Sequence, residues 1–280
     1  FLQVLEPICE AKFHDRSFGF RPNRSQENAV AVAYSLMQIQ HLHFVVDLDI
    51  KGFFDNVSHG KLLRQMWALG IRDKTVLSIL SAMLKAEVAG IGFPEKGTPQ
   101  GGIISPLLSN IVLNELDWWI SSQWETMSMR KNYVRTRKDN GVAEKTYAYK
   151  VLREKSRLKE CYGLRYADDF RIFCRRRQDA EKLFIAPQKW LKERLGLDIS
   201  PEKSQIVNLK RKYSEFLGFK MMVKPNGKTG SKTRYTVVSH VSEKRKKKIK
   251  KRASELVAKI KFPADKFEEH KFIMDYNSYV

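Results

Sequence analysis

Between His43 and Ile50 hydrophobic and polar positions alternate: Phe44, Val46, Leu48 and Ile50 share one face, Val45, Asp47 and Asp49 the other. That period of two predicts a β-strand, ended by Lys51-Gly52. Upstream, residues 1–40 follow a helical period. Ser25 can cap a helix with Glu27 in its first turn and an apolar stripe of Val30, Ala33, Tyr34 and Met37. Downstream, Ser58 can cap a short helix ending near Gly70, and Asp73 a second one carrying Val76, Ile79, Leu80, Met83 and Leu84. Residues 90–102 hold five glycines and two prolines without a period and read as a loop. Ser105-Pro106 reads as a cap and first-turn proline, opening a long helix through Asn110, Leu113 and Trp119.

The period weakens from Thr126 to Glu160, where eleven Lys/Arg face four Asp/Glu, with Tyr133, Tyr147 and Tyr149 interleaved. Gly163–Cys174 reads as a hairpin of two short apolar strands around a tight turn at Ala167-Asp168. A helix is predicted from Asp179 to Leu195, kinked at Pro187 and stopped by Gly196. Strands follow at Ser204–Leu209 and Ser214–Met222, and a lysine-rich helix at Val241–Ile260. Strands alternating with helices and hairpins predict an α+β core, a mostly antiparallel sheet backed by helices.

Composition narrows the partners. With 42% hydrophobic and 11% aromatic residues in 280, the chain can bury a large core, which excludes general disorder. Lys plus Arg is 52 and Asp plus Glu 31, leaving +21, an excess that points to a polyanion: nucleic acid or an anionic membrane. No apolar run approaches the ~20 residues of a membrane span, so nucleic acid leads and no membrane partner is expected. Cys9, Cys161 and Cys174 form no CxxC pair; they fit reduced thiols in a cytosol and make no zinc site. The chain opens on Phe1 in mid-pattern with no visible signal peptide, and is expected to be a fragment.

The sharpest chemical feature is Tyr166-Ala167-Asp168-Asp169 at the expected hairpin tip. Adjacent carboxylates repel each other, although an Asp pair in a turn is usually just a turn. Asp49 changes that reading. A third carboxylate beside the pair would complete an oxygen cage of the kind Mg2+ prefers. Two such ions about 4 Å apart stabilise both the attacking and the leaving oxygen of a phosphoryl transfer. Spacing alone does not make these strands neighbours.

Six blocks in order carry a resemblance. They are Phe18-Gly19-Phe20-Arg21-Pro22-Asn23; Asp49-Ile50-Lys51-Gly52-Phe53-Phe54-Asp55; and Gly97-Thr98-Pro99-Gln100-Gly101-Gly102 with Ile104-Ser105-Pro106-Leu107. Tyr166-Ala167-Asp168-Asp169, Leu197-Asp198-Ile199-Ser200-Pro201-Glu202-Lys203 and Phe216-Leu217-Gly218-Phe219 complete the set. Over essentially its whole length the chain resembles the reverse transcriptases encoded by bacterial group II introns. The resemblance implies a right-hand polymerase palm with helical fingers over 1–235, including a basic insert at about 126–160. Residues 236–280 would be a basic helix and the beginning of a helical thumb, or maturase, domain.

It also implies roles. Asp49, Asp168 and Asp169 would be catalytic and hold two Mg2+ ions, with the Ile50 backbone carbonyl a further ligand and Asp47 supporting the site. Phe54 would crowd the sugar 2′ position; read alone, it is an ordinary core residue. Gln100 and Gly101 would meet the incoming nucleotide, Arg21 its triphosphate, and Lys203 the nucleotide or primer end. A lysine run is usually a solvated face, but on a +21 chain with a polymerase site a phosphate-contacting surface is the better reading. Arg135, Arg137, Lys138 and Lys145 in the insert and Lys246, Lys247 and Lys248 in the tail are the candidates. The implied activity is RNA-directed DNA synthesis from dNTPs on an RNA template and DNA primer in a bacterial cytoplasm, with binding of the protein's own intron RNA to assist splicing. The oligomeric state stays open, a homodimer among the options. The rivals are an RNA-binding splicing factor with a vestigial polymerase site, and a reverse transcriptase of the retron or diversity-generating kind.

Overall fold

Local sequence sets the first elements of the fold. The computed structural model describes residues 1–87, 92–99, 101–129, 131–137 and 141–279. They form two units, Phe1–Lys212 and Tyr213–Val280. The first opens with α1 (Leu2–Glu10) and α2 (Gln26–Gln38). Ser25 Oγ accepts from the Asn28 N–H while Asn28 Oδ1 accepts from the Ser25 N–H, a reciprocal cap that starts α2. The buried stripe of α2 is Ala29, Ala33, Leu36 and Met37; Tyr34 is exposed, because Leu36 takes the inward place.

Strand β1 (Phe44–Asp49) leads into α3 (Phe53–Asn56), α4 (His59–Leu69) and α5 (Lys74–Leu84). Asp73 Oδ1 caps α5, accepting from the Thr75 and Val76 N–H groups at 2.8 and 3.1 Å. Leu80 and Leu84 are its buried residues, while Ile79 and Met83 of the expected stripe are exposed. Helix α6 (Ser105–Ser122) is the most buried, from Leu107 to Ile120. Ser105 lies one residue past its cap and donates from Oγ to the Pro99 carbonyl at 2.7 Å, tying the loop down instead of capping the helix.

In the basic stretch, β2 (Arg135–Thr136) pairs with β3 (Ala143–Glu144), and α7 (Thr146–Lys155) buries only Ala148 and Leu152, too little to print a period on the sequence. The expected hairpin follows as β4 (Cys161–Tyr166) and β5 (Asp169–Cys174). Helix α8 (Arg177–Trp190) continues past Pro187 into a π-helical turn, Leu191–Leu195, closed by Gly196 at φ 72°. Pro187 has no N–H for the carbonyl four residues back, and the helix nevertheless continues through it. With β6 (Gln205–Asn208) the strands form an antiparallel sheet in the order β4-β5-β1-β6, against which α2, α6 and α8 pack.

The second unit is a sheet of β7 (Ser214–Phe216), β8 (Phe219–Thr229) and β9 (Lys232–Val241), followed by α9 (Glu243–Lys261) and α10 (Lys266–Tyr279). Residues 214–222 are therefore two strands and not the single one expected. Phe216 pairs with Phe219 across Leu217-Gly218, whose φ of 49° and 80° are the two positive values of a type I′ hairpin turn. The expected domain limit at 235 falls inside β9, which is hydrogen-bonded along β8; the units part at 212/213.

Among the described residues no helix is long and apolar enough to cross a membrane. The three cysteines are free and buried, and burial pushes the Cys9 and Cys161 thiols up to about 12, which keeps them unreactive.

Candidate active site

Strand register supplies what spacing could not. Antiparallel pairing of β1 with β5 sets Asp49 opposite Asp169 and, two residues back on the same face, Asp47 opposite Arg171. Tyr166 pairs with Asp169, so Ala167 and Asp168 are the two residues of the hairpin turn. Of the two, only Ala167 has a positive φ, 56°, the type II′ pattern that ordinarily takes glycine first. The strain, of order 1–2 kcal/mol, is held from behind. Arg165 Nη1 donates to the Ala167 carbonyl at 2.8 Å. Gly19 lies so close that a Cβ there would sit 2.2 Å from Ala167 N, so the Phe18–Asn23 block is pressed onto the turn.

Residues 198–204 extend the end of β1. Lys51 N–H donates to the Asp198 carbonyl at 2.8 Å, Ser200 N–H to the Asp49 carbonyl at 2.8 Å, and Asp49 N–H to Ser204 Oγ at 3.1 Å. Ile50, buried, bridges Ile199. This places Lys203 Nζ 3.4 Å from Asp49 Oδ2. Arg171, itself buried, is 3.2 Å from Asp47 Oδ1 and 3.4 Å from Asp169 Oδ1. Burial raises the Asp169 carboxyl above its ordinary value; Arg171 opposes the rise, and the charges of Asp168 and Asp49 add to it.

That crowding is what a cation would relieve, and the donors are hard oxygens of the type Mg2+ takes. Three carboxylates thus fit the ion by chemistry. Among the described residues, however, no three such donors are gathered closely enough to form a ready-made metal cage, and Asp49 and Asp169 are paired with Lys203 and Arg171.

The remaining candidates divide. Phe54 is half-buried, edge-on to Phe53, and its carbonyl accepts from the Thr98 N–H at 2.8 Å. His59 Nε2 holds the Gly97 carbonyl at 2.7 Å, so the loop that leads to Gln100 rests on α3 and α4. Gln100 itself lies outside the described residues, as does Lys138. Gly101 has φ 86°, a value glycine tolerates. Arg21 is corrected. Its guanidinium is buried and committed to Glu10 at 2.8–3.0 Å and to the His14 and Ser17 carbonyls at 2.8 and 2.7 Å. It braces the segment instead of reaching a triphosphate. Arg135, Arg137, Lys145, Lys246, Lys247 and Lys248 are exposed; Arg137 is near Glu144 at 3.9 Å and Lys246 pairs with Glu243 at 2.9 Å.

Sequence reasoning did not single out Arg165, Arg171 or Ser204. Arg171 was within reach of the alternation rule, two residues from Asp169 on one face. Arg165 and Ser204 find their partners 48 and 155 residues away, which no local pattern shows.

Residues 1–221 match the model of the family described as reverse transcriptase (RNA-dependent DNA polymerase). The chain belongs to that family. The group II intron-encoded protein LtrA of Lactococcus lactis subsp. cremoris is 30% identical over 260 residues, 80% of this chain and 42% of that protein. Protein YkfC of Escherichia coli K12 is 34% identical over 175 residues, 60% of this chain and 45% of YkfC. The putative COX1/OXI3 intron 2 protein of Saccharomyces cerevisiae is 29% identical over 252 residues, 79% and 28% of the two chains. The reverse transcriptase chain thus spans less than half the length of these curated relatives. Apo telomerase from Candida tropicalis matches with a TM-score of 0.51 at 12% identity, over 79% of this chain and 38% of that one, a likeness of fold alone. The fold is the α+β palm-and-fingers arrangement that the sequence predicts.

Proposed function

We propose that this chain carries the polymerase site of a group II intron-encoded reverse transcriptase, adding dNTPs to a DNA primer 3′-OH on an RNA template. The observation that carries the reading is Asp49 opposite Asp169 across β1 and β5, with Asp168 beside them in the turn. Asp49, Asp168 and Asp169 would hold two Mg2+ ions, with the Ile50 carbonyl as a further ligand, and the metal would supply charge stabilisation at the reacting phosphoryl oxygens. Lys203, 70% exposed and reaching Asp49, is suited to leave that carboxylate and meet a phosphate or primer end. Phe54 and the Gly97–Gly101 loop, tied together at Thr98, would flank the nucleotide sugar.

The exposed basic residues Arg135, Arg137, Lys145 and Lys246–Lys248 would contact RNA phosphates, and the relation to LtrA supports the protein's own intron RNA as one partner. The bacterial relatives and buried free thiols support a bacterial cytoplasmic setting.

Primer extension on an RNA template with dNTPs and Mg2+ tests the reading. Wild type should extend, and Asp168→Asn/Asp169→Asn should lose at least about three orders of magnitude, ~4 kcal/mol of barrier. RNA binding without extension by the wild type would favour the splicing factor with a vestigial site.

A further inference from the structure

At the end of β5 remote from Asp169, a cavity of about 330 Å³ opens between residues 153–160 and the start of α8. Five cationic side chains line it, Arg153, Arg157, Lys159, Arg175 and Arg176, against the two carboxylates Glu160 and Asp179. Glu160 is buried and fully engaged. Its Oε1 accepts from Arg153 Nη2 at 2.9 Å and Arg175 Nη2 at 3.2 Å, and its Oε2 from Arg175 Nε at 2.6 Å. Burial alone would raise the Glu160 carboxyl, but the hydrogen bonds from Arg175 and Arg153 outweigh it and hold the group below its ordinary value. Arg175 Nη2 is also fixed by the Gln40 carbonyl at 2.7 Å.

Two guanidiniums are therefore locked in the wall. Arg157, Lys159 and Arg176 have no carboxylate partner among the described ion pairs, and the lining carries a net +3. No side chain caps α8, which begins at this wall with Arg176 as its N-cap residue. Lys159 Nζ donates to the Arg157 carbonyl at 2.5 Å. Preset guanidiniums beside cations that no carboxylate neutralises favour a ligand that accepts several hydrogen bonds at once, which is a phosphate. The one aromatic residue lining the cavity, Trp124, is fully buried and offers no face for a base, so the contact would read backbone and not sequence. Five residue steps of about 3.3 Å separate Cys174 from Asp169, roughly 17 Å along the strand, so a nucleotide reacting at the aspartates does not fill this cavity.

We propose that the cavity is a docking site for backbone phosphates of a structured RNA held apart from the primer terminus. The inference rests on the RNA-binding half of the proposed function and is independent of polymerisation.

The test is fluorescence anisotropy with a labelled RNA hairpin lacking single-stranded template, across a salt series, using the 280-residue chain. Arg157→Ala/Lys159→Ala/Arg176→Ala should bind on the order of tenfold more weakly, with a log–log salt slope smaller by roughly 2–3, about 0.7–0.9 for each phosphate no longer neutralised. Arg157→Lys/Arg176→Lys should keep the wild-type slope, and Arg157→Glu alone, on an exposed side chain, should weaken binding without endangering the fold. Wild-type affinity and slope in the triple and Arg157→Glu variants would overturn the proposal. So would unchanged hairpin binding accompanied by abolished binding of inorganic tripolyphosphate, which would make this a site for small phosphates. Single-nucleotide addition on pre-bound primer–template separates the two readings. A wild type that binds the hairpin but adds no nucleotide contradicts the polymerase and leaves the docking site standing. Normal addition with unaltered hairpin binding in the variants does the reverse.

Discussion

Two buried arginines sit on the hairpin that carries Asp168 and Asp169, on opposite faces of the sheet. Arg165 lies opposite Phe170 and Arg171 opposite Leu164, so alternation sends them to different sides. On the back, Arg165 spends every N–H it has: on Asp117 of α6 at 2.7–3.0 Å, Asn110 at 2.9 Å, Ser17 Oγ at 2.7 Å and the Ala167 carbonyl at 2.8 Å. On the front, Arg171 and Lys203 meet Asp169 and Asp49 at 3.4 Å, and these two carboxylate side chains are 42% and 36% exposed. A dry, fully satisfied pair fixes geometry, whereas long pairs whose carboxylates are only partly buried cost less to exchange for a substrate or an ion. The turn is thus rigid behind and open to chemistry in front.

Breaking the back should cost most. Arg165→Met strands Asp117 in the interior and should remove ~3–5 kcal/mol of stability, read by denaturant unfolding. A loss under about 1 kcal/mol would mean that the strut is not what holds the turn. At the front, the expected effect is on substrate choice. If the Phe54 ring occupies the space of a ribose 2′-OH, Phe54→Val should raise the rNTP-to-dNTP incorporation ratio about tenfold, ~1.4 kcal/mol, with folding intact. An unchanged ratio would return Phe54 to the core. The smallest effect on stability belongs to Lys203→Ala, which should shift unfolding by less than ~1 kcal/mol because its pair is water-exposed. A larger loss would place Lys203 with the scaffold.

Elements with their own chemistry were legible: the Ser25 and Asp73 caps, the strand read at 43–50 and formed at 44–49, and the hairpin read at 163–174 and formed at 161–174. The three aspartates were legible as a motif, but their adjacency is a fact of register. What failed had a non-local cause. Phe216-Leu217-Gly218-Phe219 reads as continuous strand until Arg245, 28 residues on, donates to the Leu217 carbonyl at 3.0 Å and packs where a Gly218 Cβ would be. β9 carries Lys232 and Arg234 between turn and core and lacked a strand's apolar signature at its start. Arg21 looked like a phosphate ligand because its motif is shared, while its burial depends on Glu10, Ser17 and His14 closing around it.

The front carboxylates are left under-compensated for a cation, and thermal melting of wild type and Asp169→Asn with and without Mg2+ tests this most directly. The Asp169 carboxyl is raised in the folded state, first by burial. Its proton is therefore held more tightly folded than unfolded, and ionising it destabilises the fold as pH rises from the unfolded value through the folded one. Metal-free at pH 7, above the unfolded value, Asp169→Asn should melt higher than wild type; at a pH below the ordinary carboxylate range the difference should vanish. Mg2+ should raise the wild-type melting temperature, because it binds the folded state alone, and raise that of Asp169→Asn far less. Equal responses to Mg2+ in both proteins, or a metal-free Asp169→Asn that melts below wild type at pH 7, would contradict the account.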